Sequence, residues 1–114
     1  MSNHDASCVF CRIVAGQIPA TFIHEDADTV AFADLNPQAP THVLVIPRDH
    51  VPGFQDLPPE RASALVRAVQ ETAARLGVVS AYRLVTNQGA GAGQSVFHLH
   101  LHLLAGRKLQ WPPG

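Results

Sequence analysis

Phe97-His98-Leu99-His100-Leu101-His102-Leu103-Leu104 is the stretch that decides the fold. Its apolar and imidazole side chains alternate with period two, the period of a β-strand. As a strand it sends His98, His100 and His102 to one face and Leu99, Leu101 and Leu103 to the other. The leucines then face a core, and three imidazoles stand in a row. Just upstream, Gln88-Gly89-Ala90-Gly91-Ala92-Gly93-Gln94-Ser95 reads as a flexible loop whose backbone N–H groups can come close to an anion.

Working outward, Tyr82 to Asn87 reads as a strand before that loop, and Val96 to Leu104 as the last strand. Before them, Ala62, Leu65, Val66, Val69, Ala73 and Leu76 recur at three- and four-residue spacing. They mark one long amphipathic helix, opened by Asp56 to Glu60 with Pro58 or Pro59 in its first turn and closed by Gly77. His42-Val43-Leu44-Val45-Ile46-Pro47 is nearly continuously apolar, which predicts a central strand buried on both faces. Phe22 to His24 and Thr29 to Asp34 read as strands about an Asp26-Ala27-Asp28 turn, and Asn36-Pro37 and Ala39-Pro40 as a loop. Cys8 to Ala15 reads as a short helix capped by Ser7 and Gly16, with Val9, Phe10 and Ile13 on one face. Residues 1–7 read as a disordered tail and 8–114 as a single domain. The order β-β-β-α-β-β predicts an antiparallel α+β fold.

The bulk properties narrow the function. The chain has 114 residues, 46% hydrophobic and 15% charged, with net charge −1 and no Lys/Arg run. A nucleic-acid partner is therefore not expected, whereas a small phosphorylated ligand remains compatible. No apolar stretch reaches the length of a membrane span, and Met1 to Ser7 lacks a signal-peptide pattern, so the expectation is a cytoplasmic protein with no membrane partner. There Cys8 and Cys11 are expected as reduced thiols or metal ligands, not as a structural disulfide.

Three chemistries fit the histidine row: a solvated surface strand, a three-histidine metal site of the zinc-hydrolase kind, and phosphoryl chemistry. The metal reading strains on distance, because the outer imidazoles sit roughly 13 Å apart along a strand. Phosphoryl chemistry suits a neutral, nucleophilic imidazole beside a loop that binds the oxygens.

His-x-His-x-His with two apolar residues after it and Gly-x-Gln-Ser before it resembles the signature of the histidine-triad (HIT) family. Cys8 to Gly16, Ile18-Pro19-Ala20, Phe32 to His42, Val45-Ile46-Pro47 and Trp111-Pro112-Pro113-Gly114 resemble the family in the same order, the last being like the terminus of its Hint branch. The resemblance implies a five-stranded antiparallel sheet with one long and one short helix, and a homodimer whose sheets join across the interface. It implies that His100 is a nucleophile toward the α-phosphorus of a purine nucleotide (AMP-like) substrate. His102 and Ser95 would serve the phosphate and leaving group, His42 would tune the nucleophile, and Asn87 and Gln94 would contact phosphate. Asp34 would take the ribose hydroxyls. Val9, Phe10, Ile13, Phe32 and Leu35 would form a purine slot, and Trp111 would reach the partner subunit's site. In a bacterial group of the family, a Cys-x-x-Cys pair joins two histidines on zinc, here Cys8, Cys11, His50 and His98. The activity implied is hydrolysis of nucleoside 5′-phosphoramidates. Dinucleoside polyphosphate hydrolysis and a nucleotide-binding regulatory role are the alternatives.

Overall fold

The computed structural model describes residues 4–114, so the first three residues of the expected tail lie outside the described residues. The chain runs α1 (Val9–Val14), β1 (Phe22–Glu25), β2 (Thr29–Ala33), β3 (Thr41–Pro47), α2 (Ala62–Leu76), β4 (Arg83–Val85) and β5 (Leu101–Ala105). The strands form one five-stranded sheet in the order β1-β2-β3-β5-β4, antiparallel at every pairing. This is the expected α+β architecture with one long and one short helix.

Each face of the sheet is covered by a different element. Ala31, Val43, Val45, Leu101 and Leu103 pack with Leu65, Val69 and Ala73 of α2. Val30, Phe32, Leu44 and Ile46 face the other way and pack with Phe10 of α1. β3 is buried along almost its whole length for this reason, as its unbroken apolar run predicts.

Several boundaries depart from the sequence reading. Cys8, not Ser7, caps α1: its Sγ accepts the backbone N–H of Cys11, while Ser7 donates to the Asp5 carboxylate. Within the expected tail, His4 donates from Nε2 to the Cys11 carbonyl at 2.8 Å. The helical segment begins as two short 3-10 turns, Phe54–Asp56 and Pro59–Arg61, because the proline pair withholds N–H groups; α2 proper starts at Ala62. Gly77 ends it in the left-handed conformation, as expected. Val66, placed on the apolar stripe by spacing, is exposed, and Ala68 and Thr72 are buried instead. β4 is shorter than Tyr82 to Asn87, and the last strand starts at Leu101 rather than Val96. Residues before Leu101 leave the sheet, because β3 pairs with β5 only from Thr41 to Val45. There the Leu99 N–H donates to the Val51 carbonyl at 2.6 Å.

Candidate active site and metal centre

All of the triad histidines lie on the α1 side, yet each has different partners. His98 and His100 are 0% and 8% exposed, which excludes the solvated-strand reading. The leucines between them are buried against α2, so the period-two alternation survives even where no strand ladder forms.

His98 turns toward Cys8 and Cys11. Its Nε2–H donates to the Pro47 carbonyl at 2.8 Å, which leaves the Nδ1 lone pair free. That Nδ1 lies 3.4 Å from Cys8 Sγ and 3.5 Å from Cys11 Sγ. His50 Nδ1 lies 3.4 Å from Cys11 Sγ, and its Nε2 is 3.9 Å from the Asp5 carboxylate. All four ligand atoms stand within 4.8 Å of one another. Tetrahedral zinc with bonds of about 2.0–2.1 Å to nitrogen and 2.3 Å to sulfur has N···S edges of about 3.6 Å, so the donor set fits such an ion. Backbone N–H groups of Cys11 and Asp5 point at the two sulfurs, at 3.3 and 3.4 Å, an arrangement that favours thiolates. Burial, with a smaller push from Cys8, drives the Cys11 thiol up to about 11, and burial with the neighbouring histidines pulls His98 down to about 4.

A second cluster, Asp34, His42 and His102, also brings metal-ligand atoms together. Its hydrogen bonding disfavours an ion. The backbone N–H of Gln38 donates to His42 Nδ1 at 3.0 Å, so neutral His42 carries its proton on Nε2, the atom that faces the cluster. That Nε2–H lies 2.9 Å from His102 Nδ1 and 3.4 Å from Asp34 Oδ2. His42 and His102 are diagonal neighbours on paired strands, since His42 opposes Leu104 and Leu44 opposes His102. Burial, then the nearby His100 and His42 rings, pull His102 down to about 4. His102 is therefore neutral at pH 7, accepting at Nδ1 and protonated at Nε2.

His100 stands between these clusters, its ring centroid 4.9 Å from that of His102. Its Nδ1–H donates to the His98 carbonyl at 2.7 Å, so in the neutral ring Nε2 holds the lone pair. Thr86 Oγ1 fixes the next peptide by donating to the His100 carbonyl. Phe10 meets the His100 ring edge-on at 5.2 Å and the His98 ring at 5.8 Å. The three-histidine metal site does not form: among the described residues, no cluster joins His98, His100 and His102.

The remaining expected residues divide. Phe10 and Phe32 touch edge-on at 5.6 Å and are buried with Ile13 beside them; Val9 and Leu35 are exposed, Leu35 completely. Asp34 follows β2 and accepts the Asn36 N–H at Oδ1. Gln94 spends its amide on the glycine loop, accepting from Gly89 N–H and donating to the Pro52 and Val96 carbonyls. Ser95 is exposed, Asn87 half-buried and Trp111 largely exposed. Gln38 is the participant that spacing missed. It acts through a backbone N–H, which every residue but proline carries, so the sequence holds no signal for it.

The HIT domain model matches residues 15–109, and the chain belongs to this family. A HIT-like protein of Synechocystis is 47% identical over 109 residues, 93% of this chain and 96% of its own length. A 14 kDa zinc-binding protein of Zea mays is 40% identical over 115 residues, 96% of this chain and 90% of its own. The crystal structure of a HIT family hydrolase from Legionella pneumophila Philadelphia 1 superposes with a TM-score of 0.87 at 44% identity, covering 95% of this chain and all of that one. Among the described residues, no helix is long and apolar enough to cross a membrane.

Proposed function

We propose that the protein is a hydrolase of purine nucleoside 5′-phosphoramidates or related adenylated substrates. The observation that carries this reading is the bond from His100 Nδ1–H to the His98 carbonyl, which makes Nε2 the buried lone-pair nitrogen of the neutral ring, available as a nucleophile. Nε2 of His100 attacks the α-phosphorus, the P–N bond breaks, and the amine leaves with a proton drawn through Ser95 and His102. Water then attacks the nucleotidyl-histidine, its proton returning through His102 and Ser95, and the P–N bond to His100 breaks to release the nucleoside monophosphate and restore the free imidazole. Neutral His102 offers its Nε2–H to the phosphate oxygens, where negative charge builds up. Asn87 completes the phosphate side, with Gln94 shaping the loop, and His42 tunes the reactive row through its bond to His102. Phe10, Ile13 and Phe32 with Val9 and Leu35 at the mouth supply an apolar slot for the base, and Asp34 an acceptor for the ribose diol.

Cys8, Cys11, His50 and His98 hold zinc in this reading. The ion's contribution is structural: a closed set of four protein ligands tying α1 to the segment that carries His100. The Zea mays relative's name and the tautomer of His98 support it. The working form is a homodimer joined at β4. That edge strand has β5 as its single neighbour in the sheet, and exposed Phe54, Val66 and Leu84 line an apolar groove of about 320 Å³ beside it. Trp111 then reaches the partner subunit's site. The cytoplasm is the expected compartment for such a substrate.

The test is release of amine from adenosine 5′-phosphoramidate by the wild type and by His100→Ala. Turnover that survives the substitution would sink the covalent mechanism. Failure of the wild type on this substrate, with cleavage of a dinucleoside polyphosphate, would move the assignment to that class.

A further inference from the structure

Arg107 is an exposed residue in the turn after β5, outside the triad and the metal cluster. Its guanidinium donates from Nε and Nη2 to one acceptor, the carbonyl of Gln38, at 3.1 and 3.0 Å. Nη1 donates to the Lys108 carbonyl, which ties the fork to its own turn. The two segments also touch at Gly106, where a Cβ would stand 2.8 Å from Pro40 Cβ. The β2–β3 loop and the turn after β5 are thus locked against each other.

The loop needs an external hold. Pro37 and Pro40 bring no N–H, and the Gln38 side chain contributes one bond within it, to the Asn36 carbonyl. On its other side Gln38 donates its N–H to His42 Nδ1. That bond exists only while Nδ1 is unprotonated, so it sets the His42 proton on Nε2 and, across 2.9 Å, the His102 proton on the nitrogen away from His42.

We propose that Arg107 is a positioning residue that acts through Gln38 to set the tautomers of His42 and His102. Its value to the reaction rests on the reading of His102 as the phosphate-side partner of His100. A planar fork placing two N–H groups on one oxygen fixes the Gln38–Ala39 peptide plane and so limits rotation at Gln38, whose own N–H, in the preceding plane, meets His42 Nδ1; a lysine would supply charge without that constraint.

The experiment is long-range ¹H–¹⁵N NMR of the histidine rings in ligand-free wild type, Arg107→Ala and Arg107→Lys at neutral pH, with melting curves and steady-state kinetics beside it. In the wild type, His42 and His102 show unprotonated Nδ1 and protonated Nε2. In Arg107→Ala, His42 becomes a mixture of tautomers and kcat falls by about tenfold with KM little changed, the low end of the loss when a metal-bound histidine loses its orienting partner. Arg107→Lys falls between. Unchanged tautomers in both folded variants would overturn the proposal. The NMR arm needs no substrate: altered tautomers with no turnover in any form would support the clamp and count against the hydrolase reading alone.

Discussion

The carbonyl of His98 accepts the Nδ1–H of His100 at 2.7 Å, while the His98 ring faces Cys8 and Cys11. One residue thus serves the cysteine cluster with its side chain and aims the neighbouring imidazole with its backbone. The geometry of the Cys8–Cys11–His50–His98 cluster and the orientation of the His100 ring are joined through a single residue.

His100→Ala is expected to lower turnover by about 10⁴-fold or more, the scale of removing a nucleophile. Wild type quenched during turnover should gain the mass of one nucleotidyl group, and the variant should not. An adduct persisting in the variant would place the nucleophile elsewhere.

One zinc per chain is expected by elemental analysis, and Cys11→Ala should lose it. Because burial holds the Cys11 thiol near 11, the ion must displace its proton, so affinity should fall as pH falls. Chelation should lower the melting temperature and broaden the His100 ring signals together. A melting temperature unmoved by chelation would leave the cluster without a structural role.

His102 titrates near 4 in the fold, held there by burial and by the His100 and His42 rings, against 6.5 when unperturbed. Between these values the unfolded chain holds a proton that the folded one lacks. Stability should therefore fall as pH drops from 6.5 toward 4, with His98, also pulled down to about 4, adding to the slope, and His102→Gln should reduce it. Asp26 acts lower down. Burial opposes its ionisation, but bonds from His24, Thr29 and Asp28 outweigh it and hold the carboxyl below its usual range, so its contribution is lost only in stronger acid. Denaturant midpoints at pH 7 and pH 5, with an NMR titration of His102, check the first claim; a His102 midpoint near 6.5 would refute it.

Gly106→Ala should destabilise by about 1–3 kcal/mol, as expected for a strained backbone position. Its φ is +95°, and the added methyl meets Pro40. Gly91→Ala, in the glycine loop, meets nothing within 4 Å and has no left-handed φ, so its effect should stay below about 0.5 kcal/mol. Equal thermal shifts for the two would show that the Gly106–Pro40 contact is not tight.

Much of this was legible in the chain. The alternation from Leu99 to Leu103 assigned the buried leucines correctly, and the apolar run from Val43 to Ile46 marked the centre of the sheet. The Cys8/Cys11 pair, His50 and His98 come from three separate parts of the chain, and the structure brings their ligand atoms within 4.8 Å of one another. The less legible parts depend on partners. Where β5 begins is decided by where β3 stops pairing with it, not by residues 96–100 themselves. Val66 lies on the helical stripe by spacing, yet it is exposed at the apolar groove beside β4. Gln38 and Arg107 meet through a carbonyl, a group common to every residue, so no side-chain pattern announces them.

The alternation in the final segment has an evolutionary consequence. Leu99, Leu101 and Leu103 anchor the sheet to α2, while His98, His100 and His102 carry the polar contacts between them. Substitutions across these six positions should sort accordingly: changes at the odd-numbered leucines, and at His98 in the buried cysteine cluster, register first as lost protein abundance, those at His100 and His102 as lost chemistry at normal abundance. Drift can then retune the scaffold and the histidine row on separate codons of one short stretch, but an insertion or deletion of a single residue there would exchange the two faces and forfeit both at once.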